Sequence, residues 1–160
     1  MHLDFQKILI AVDESPYSER AVQAGYDLAR TADAEVMLVH VIDITLAVGD
    51  MMGGAMAPEV MDTVRTSGEN LLASLKTTYG TGVETRTSMP DDRPVHGILR
   101  IAAEYEPGLI VLGTHGRSGL DHLLMGSVAE QVVRKSRWPV LVVPKPDDPA
   151  DKTQNEQNVI

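Results

Sequence analysis

No cysteine occurs in the 160 residues. This excludes disulfides, thiolate zinc sites and cysteine nucleophiles, and it suits a reducing compartment without proving one. Aromatic residues make up only 4% of the chain, too few to supply the stacking platforms that hold single-stranded nucleic acids. Positive charge is scarce as well: 14 Lys and Arg stand against 23 Asp and Glu, a net charge of −9. Such a surface repels polyanions, so non-specific DNA or RNA binding is disfavoured. Long apolar runs are also missing. The longest, Ile8–Val12, Leu109–Leu112 and Val140–Val143, fall far short of the roughly 20 residues that span a bilayer. Met1–Lys7 contains Asp4 and leads straight into an apolar run, which leaves no space for the charged, apolar and cleavage regions of a signal peptide. The expected address is the cytoplasm, with no membrane insertion.

What is present is an aliphatic chain of one-domain size, 43% apolar, enough to close a core without staples. Lys7–Val12, Glu35–Ile42, Val83–Ser88, Leu109–Leu112 and Val140–Val143 are short runs rich in Val, Ile and Leu, the pattern of strands covered on both faces. Between them, helical spacing joins Ala21, Leu28 and Ala29, then Val60, Val64, Leu71, Leu72 and Leu75, then Val95, Ile98, Leu99 and Ala102. A last helix is expected from Ser127 to Ser136, with Arg134, Lys135 and Arg137 at the end where cations suit the dipole. Strands alternating with helices imply right-handed crossovers and a parallel sheet. The expected fold is α/β, a doubly wound five-stranded parallel sheet with helices on both faces. Asp43–Ala57, rich in Gly and Met, stands outside this alternation, and the role of its 48–57 portion stays open. The domain is expected over residues 1–144 and a tail without fixed structure over 145–160.

In such sheets ligands sit beyond the carboxyl ends of the strands, where strand order reverses. Two loops there are informative. After the first strand comes Asp13-Glu14-Ser15-Pro16. After the fourth comes Gly113-Thr114-His115-Gly116-Arg117-Ser118-Gly119, running on to Met125-Gly126-Ser127-Val128. That connection is much longer than the usual loop of about two to six residues. Its glycines permit positive φ and close approach of main-chain amides to an anion. Gly126-Ser127 then opens a helix whose unpaired N–H groups favour negative charge, with the Ser127 hydroxyl as cap or further donor. Asp13 could hold Mg²⁺ against phosphate oxygens or accept a ribose hydroxyl. Strand order 3-2-1-4-5 makes Asp13 and Gly113 neighbours, whereas order 2-1-3-4-5 would place the switch beside Ser88–Asp92, which has no glycine. The glycines favour the first.

The spacing Gly113-x2-Gly116-x9-Gly126-Ser127, the opening Ile8-Leu9-Ile10-Ala11-Val12-Asp13-Glu14-Ser15, the block Val39–Asp43 and the closing Trp138–Pro144 together resemble the ATP-binding branch of the universal stress protein family. The resemblance covers Lys7–Pro144. It implies a sheet in order 3-2-1-4-5, ATP between the loops after strands one and four, and a homodimer formed through the last strand, 140–143. By the same motifs, Asp13 would contact ribose or metal, Ala11 and Val12 would lie beside the nucleoside, and the main chain of Val41 would meet adenine. Leu112, Gly113 and Gly116 would line ribose and phosphates, and Gly126, Ser127 and Val128 would hold the phosphates. Thr114, His115 and Arg117 share the glycine loop and join the candidate set, although a solvated side chain is the plainer reading of His115 and Arg117.

Other residues have quieter readings: Ser15 as a helix cap, His40 as a hydrogen-bonded core or sheet-end histidine, Arg134, Lys135 and Arg137 as a solvated helix end. The expected function is an ATP-binding regulatory protein of the stress-response type, homodimeric, with a protein partner that depends on bound nucleotide and with Mg²⁺ as an optional companion of ATP. Two rivals stay open: a slow Mg-dependent ATPase or phosphotransferase, and a nucleotide-free dimeric adaptor. No catalytic residue is assigned, since no general base with an orienting partner can be named, and the Gly-x4-Gly-Lys-[Ser/Thr] and Gly-x-Gly-x-x-Gly phosphate signatures are absent.

Overall fold

Ile8, Leu9 and Ile10 have no exposed surface at all, a state open to consecutive strand residues only when both sheet faces are covered. The computed structural model describes residues 5–45, 57–114 and 125–144. The Met-rich segment 46–56, residues 115–124 of the glycine loop and the tail from 145 lie outside the described residues. The elements in chain order are β1 (Lys7–Val12), α1 (Ser18–Ala32), β2 (Glu35–His40), β3 (Ile42–Asp43), α2 (Pro58–Tyr79), β4 (Thr85–Ser88), β5 (Asp91–Asp92), α3 (Pro94–Tyr105), β6 (Leu109–Gly113), α4 (Ser127–Lys135) and β7 (Val140–Val143).

The main sheet is parallel throughout, in order β4-β2-β1-β6-β7. Counted over its five strands this is 3-2-1-4-5, the order the glycines favoured. Strand alternation then feeds two cores. Ile8, Ile10 and Val12 point with Val36, Leu38 and Val111 toward Ala21, Val22 and Tyr26 of α1 and Leu72 and Leu75 of α2. Leu9 and Ala11 point with Val39, Ile110 and Leu112 toward Ile98, Ile101 and Ala102 of α3 and Ala129 and Val132 of α4. On the first face Tyr26, fully buried, hydrogen-bonds its Oη to Thr85 Oγ1 at 3.1 Å, so its polar end is satisfied. Among the described residues no helix is long and apolar enough to cross a membrane.

Beyond one extra residue at the end of β6, which reaches Gly113, two strand boundaries differ from the sequence expectation. The run Glu35–Ile42 does not stay in one sheet: β2 ends at His40, and Ile42–Asp43 pairs instead with Asp91–Asp92 as a separate parallel ribbon, with Ile42 N–H donating to Pro90 O at 2.9 Å. The third main strand starts at Thr85 rather than Val83, because Val83 closes a turn with its N–H on Gly80 O. The first difference matters for function. By leaving the main sheet after His40, the chain opens the space beside the carboxyl end of β1.

Candidate functional site

That space is a cleft of about 220 Å³ at the carboxyl ends of β1, β2 and β6. Its floor comes from Ala11, Val39 and Leu112, and its walls from Pro94 and Ile98 of α3 and from Val128 and Ala129 of α4. Asp13 and Asp43 stand at its polar rim. Of the thirteen candidates, Ala11, Val12, Asp13, Val41, Leu112, Gly113, Thr114, Gly126, Ser127 and Val128 all line this one cleft. His115, Gly116 and Arg117 lie outside the described residues.

The β1–α1 turn is built around Asp13. Its Oδ1 accepts the Ser15 N–H at 2.9 Å and the Ser15 hydroxyl at 2.5 Å, an Asx turn, while its own N–H donates to Ser18 Oγ at 2.9 Å. Ser15 therefore does not cap α1. The helix starts three residues later, with Tyr17 at the cap position and no side-chain cap bond. Asp43 repeats the device beyond β2: its Oδ1 accepts the Thr45 N–H at 3.0 Å and the Thr45 hydroxyl at 2.6 Å. Each carboxylate thus has one oxygen tied down by its own turn, which fixes its direction.

On the opposite side, β6 and α4 are stitched together across the glycine loop. Thr114 N–H donates to Val143 O at 2.9 Å, and Gly126 N–H donates to Thr114 O at 2.5 Å. The positive φ that glycine permits is not used at either end of the loop. Gly126 has φ −67°, and among the described glycines only Gly82 has positive φ. Nor is the Gly126 amide available to a ligand, since Thr114 takes it. The donors are one step further on. The first intrahelical bond of α4 runs from Glu130 N–H to Gly126 O at 3.0 Å, so the N–H groups of Ser127, Val128 and Ala129 have no acceptor within the helix. Those three residues face the cleft. Ser127 is the first helical residue, directly after Gly126 at the cap position.

Among the described lining residues the charged side chains are the two carboxylates, and no lysine or arginine is present. Any anion held here must rely on the α4 amides, on the positive end of that helix, or on a cation shared with Asp13. An apolar slot running from β2 to a helix N-terminus suits a ligand with a flat apolar part and an anionic end. Reasoning from the sequence missed Ser18, Val39, His40, Asp43, Pro94, Ile98 and Ala129 as lining residues. Asp43 was the most findable, because Asp43-Ile44-Thr45 copies the acid-x-hydroxyl pattern of Asp13-Glu14-Ser15.

A model described as the universal stress protein family matches residues 4–144. The chain is 34% identical over 143 residues to the universal stress protein MJ0531 of Methanocaldococcus jannaschii, covering 89% of this chain and 84% of that one. It resembles the structure of the protein MJ0577 with a TM-score of 0.79 and 27% identity, covering 91% of this chain and 99% of that one; that protein is from the same organism. A universal stress protein from Archaeoglobus fulgidus solved in complex with dAMP superposes with a TM-score of 0.65 at 24% identity, covering 88% and 98% of the two chains.

Proposed function

Because this chain belongs to the universal stress protein family, we propose that its cleft binds an adenine nucleotide, ATP with Mg²⁺, and that the protein works in the cytoplasm as a homodimer whose choice of protein partner follows the nucleotide state. The observation that carries this reading is the convergence of ten motif residues, scattered from Ala11 to Val128, on one cleft. In this reading the base lies over Ala11, Val39 and Leu112 against the main chain of Val41. The ribose turns toward Asp13, and the phosphates reach Ser127 and Val128. The dAMP complex of the Archaeoglobus protein supports the nucleotide class, and the triphosphate is our extension of it.

Asp13 fits a role toward Mg²⁺. Oδ1 is held by Ser15, which leaves Oδ2 as a single carboxylate oxygen for an ion that takes its remaining ligands from phosphate and water. When bound, Mg²⁺ would supply the positive charge that the described lining lacks. For the dimer, the support is β7. It is an edge strand of four aliphatic residues, each only half-buried, with its outer side turned away from β6, and a second copy would cover it.

Denaturing freshly purified protein and identifying the released small molecules by mass spectrometry tests the reading, with Gly126→Leu as the comparison. The φ of −67° at Gly126 suits any residue, so the new side chain acts by filling the cleft mouth. Recovery of ATP from the parent and not from the variant is expected. Equal recovery from both would remove the site, and stripped, folded protein that takes up no adenine nucleotide in the presence of magnesium would remove the function.

A further inference from the structure

The Val12–Asp13 peptide is held at both of its polar ends by buried side chains from two different elements. His40, only 2% exposed, ends β2 opposite Val12. Its Nδ1 lies 3.1 Å from Val12 O. A carbonyl can only accept, so Nδ1 is the donor of this bond. This bond sits where the backbone ladder gives out, since the chain after His40 turns away to pair with β5. On the other side of the same peptide, Asp13 N–H donates to the hydroxyl of Ser18, the buried first residue of α1.

The histidine is itself backed by α2. A Cβ at Gly68 would lie 2.8 Å from His40 Cδ2 and 2.7 Å from Met89 Sδ, so the helix backbone packs closely against the ring. Both His40 and Ser18 line the cleft.

We propose that His40 and Ser18 form a clamp on the Val12–Asp13 peptide and are positioning residues for the ligand: they fix the plane of that peptide, and through it the direction in which Asp13 presents its carboxylate. The proposal rests on the reading that the cleft holds a nucleotide and that Asp13 touches it. Neither clamp residue needs to touch the ligand. As a clamp they act on binding through Asp13, which distinguishes them from side chains that touch the ligand and from a general loss of structure.

The test is calorimetry with ATP and Mg²⁺ on His40→Leu, His40→Asn, Ser18→Ala and Asp13→Ala, singly and with the first three placed on Asp13→Ala. The Asn amide nitrogen falls where Nδ1 stood and keeps the donor. His40→Leu and Ser18→Ala should each weaken binding about tenfold, the scale of one buried hydrogen bond. His40→Asn should stay within about threefold of the parent. On Asp13→Ala the same changes should cost nothing further. Undiminished losses on Asp13→Ala would overturn the proposal, as would parental affinity in His40→Leu. Nitrogen-15 spectra of the ligand-free parent give a readout that needs no nucleotide. A proton on His40 Nδ1 and a slowly exchanging Asp13 amide that speeds up in Ser18→Ala are expected; an unprotonated Nδ1 or an unprotected amide sinks the clamp. If the parent binds no nucleotide while these signals hold, the failure belongs to the functional reading and not to the clamp.

Discussion

On the side of the sheet covered by α1 and α2, Ile8, Ile10, Val36 and Leu38 meet Tyr26, Val22 and Leu72 and leave no room for a guest. On the side covered by α3 and α4, the same strands contribute Leu9, Ala11, Val39 and Leu112, and the layer opens into a cleft at its carboxyl end. The alternation that feeds both faces is identical. What differs is the size of the side chains and the covering above them. Ala11 and Ala129 line the cleft whereas Ile10 and Tyr26 fill the first face, and α4 is a helix of 9 residues that begins only at Ser127. A sheet can thus be sealed on one face for stability and left short of filling on the other for a ligand, using successive residues of one strand.

Three changes would break or sharpen this contrast. Ile10→Ala has the largest expected effect. Ile10 Cδ1 lies 2.4 Å from where a Cβ of Gly25 would be, so α1 sits directly on this side chain, and its loss should cost about 2–5 kcal/mol in urea unfolding with nucleotide affinity unchanged in the folded fraction. A cost below about 1 kcal/mol would mean that the first face is not the sealed one. Ala11→Leu, one residue along, should do the reverse. It fills the cleft and should cost about thirtyfold in affinity, or about 2 kcal/mol, with the melting temperature nearly unchanged. Parental binding in this variant would show that the floor of the cleft is not where the base lies.

The smallest effect concerns the ribbon at the cleft rim. The His96 hydrogen bond at 2.8 Å, followed by contributions from Arg93 N–H and Arg100, holds the Asp92 carboxyl below its usual range despite partial burial that raises it. A carboxyl with a depressed folded pKa stabilises above its unfolded value, and that contribution is lost as pH falls through the folded one. Exchange of the Ile42 amide, corrected for its intrinsic pH dependence, should therefore accelerate as pH drops below about 4. Asp92→Asn should flatten that response, while the exchange of Leu9 on the sealed sheet stays level. A pH response of equal size in the Asn variant would show that Asp92 does not hold the ribbon.

Much of this was legible in advance, for reasons that can be traced to particular residues. Ile8–Val12 and Leu109–Leu112 read as buried parallel strands because no other short element tolerates consecutive aliphatics. The glycines around the fourth strand pointed to the strand order and to the side of the cleft. Their own geometry was not legible: Gly113 and Gly126 are not at positive φ, and Gly126 spends its amide on Thr114. The ribbon was hidden because Asp91–Asp92 has no strand propensity and forms one only by meeting Ile42–Asp43. Ser15 looks like a cap in sequence, yet the cap slot lies out of its reach once Asp13 Oδ1 has engaged it.

By itself the sequence determined the alternation of strand and helix and the burial of the central strands, which follow from side-chain polarity and local spacing, and its motifs carried the resemblance that named the family and the residues to watch. Which of those residues face one another was decided only by the fold. The departure of the chain from the sheet after His40, the meeting of Asp13 and Asp43 at the rim of one cleft, and the clasp of His40 and Ser18 on a single peptide all depend on contacts between segments far apart in the chain. No local pattern encodes such contacts, because each partner also satisfies its own backbone rules without the other.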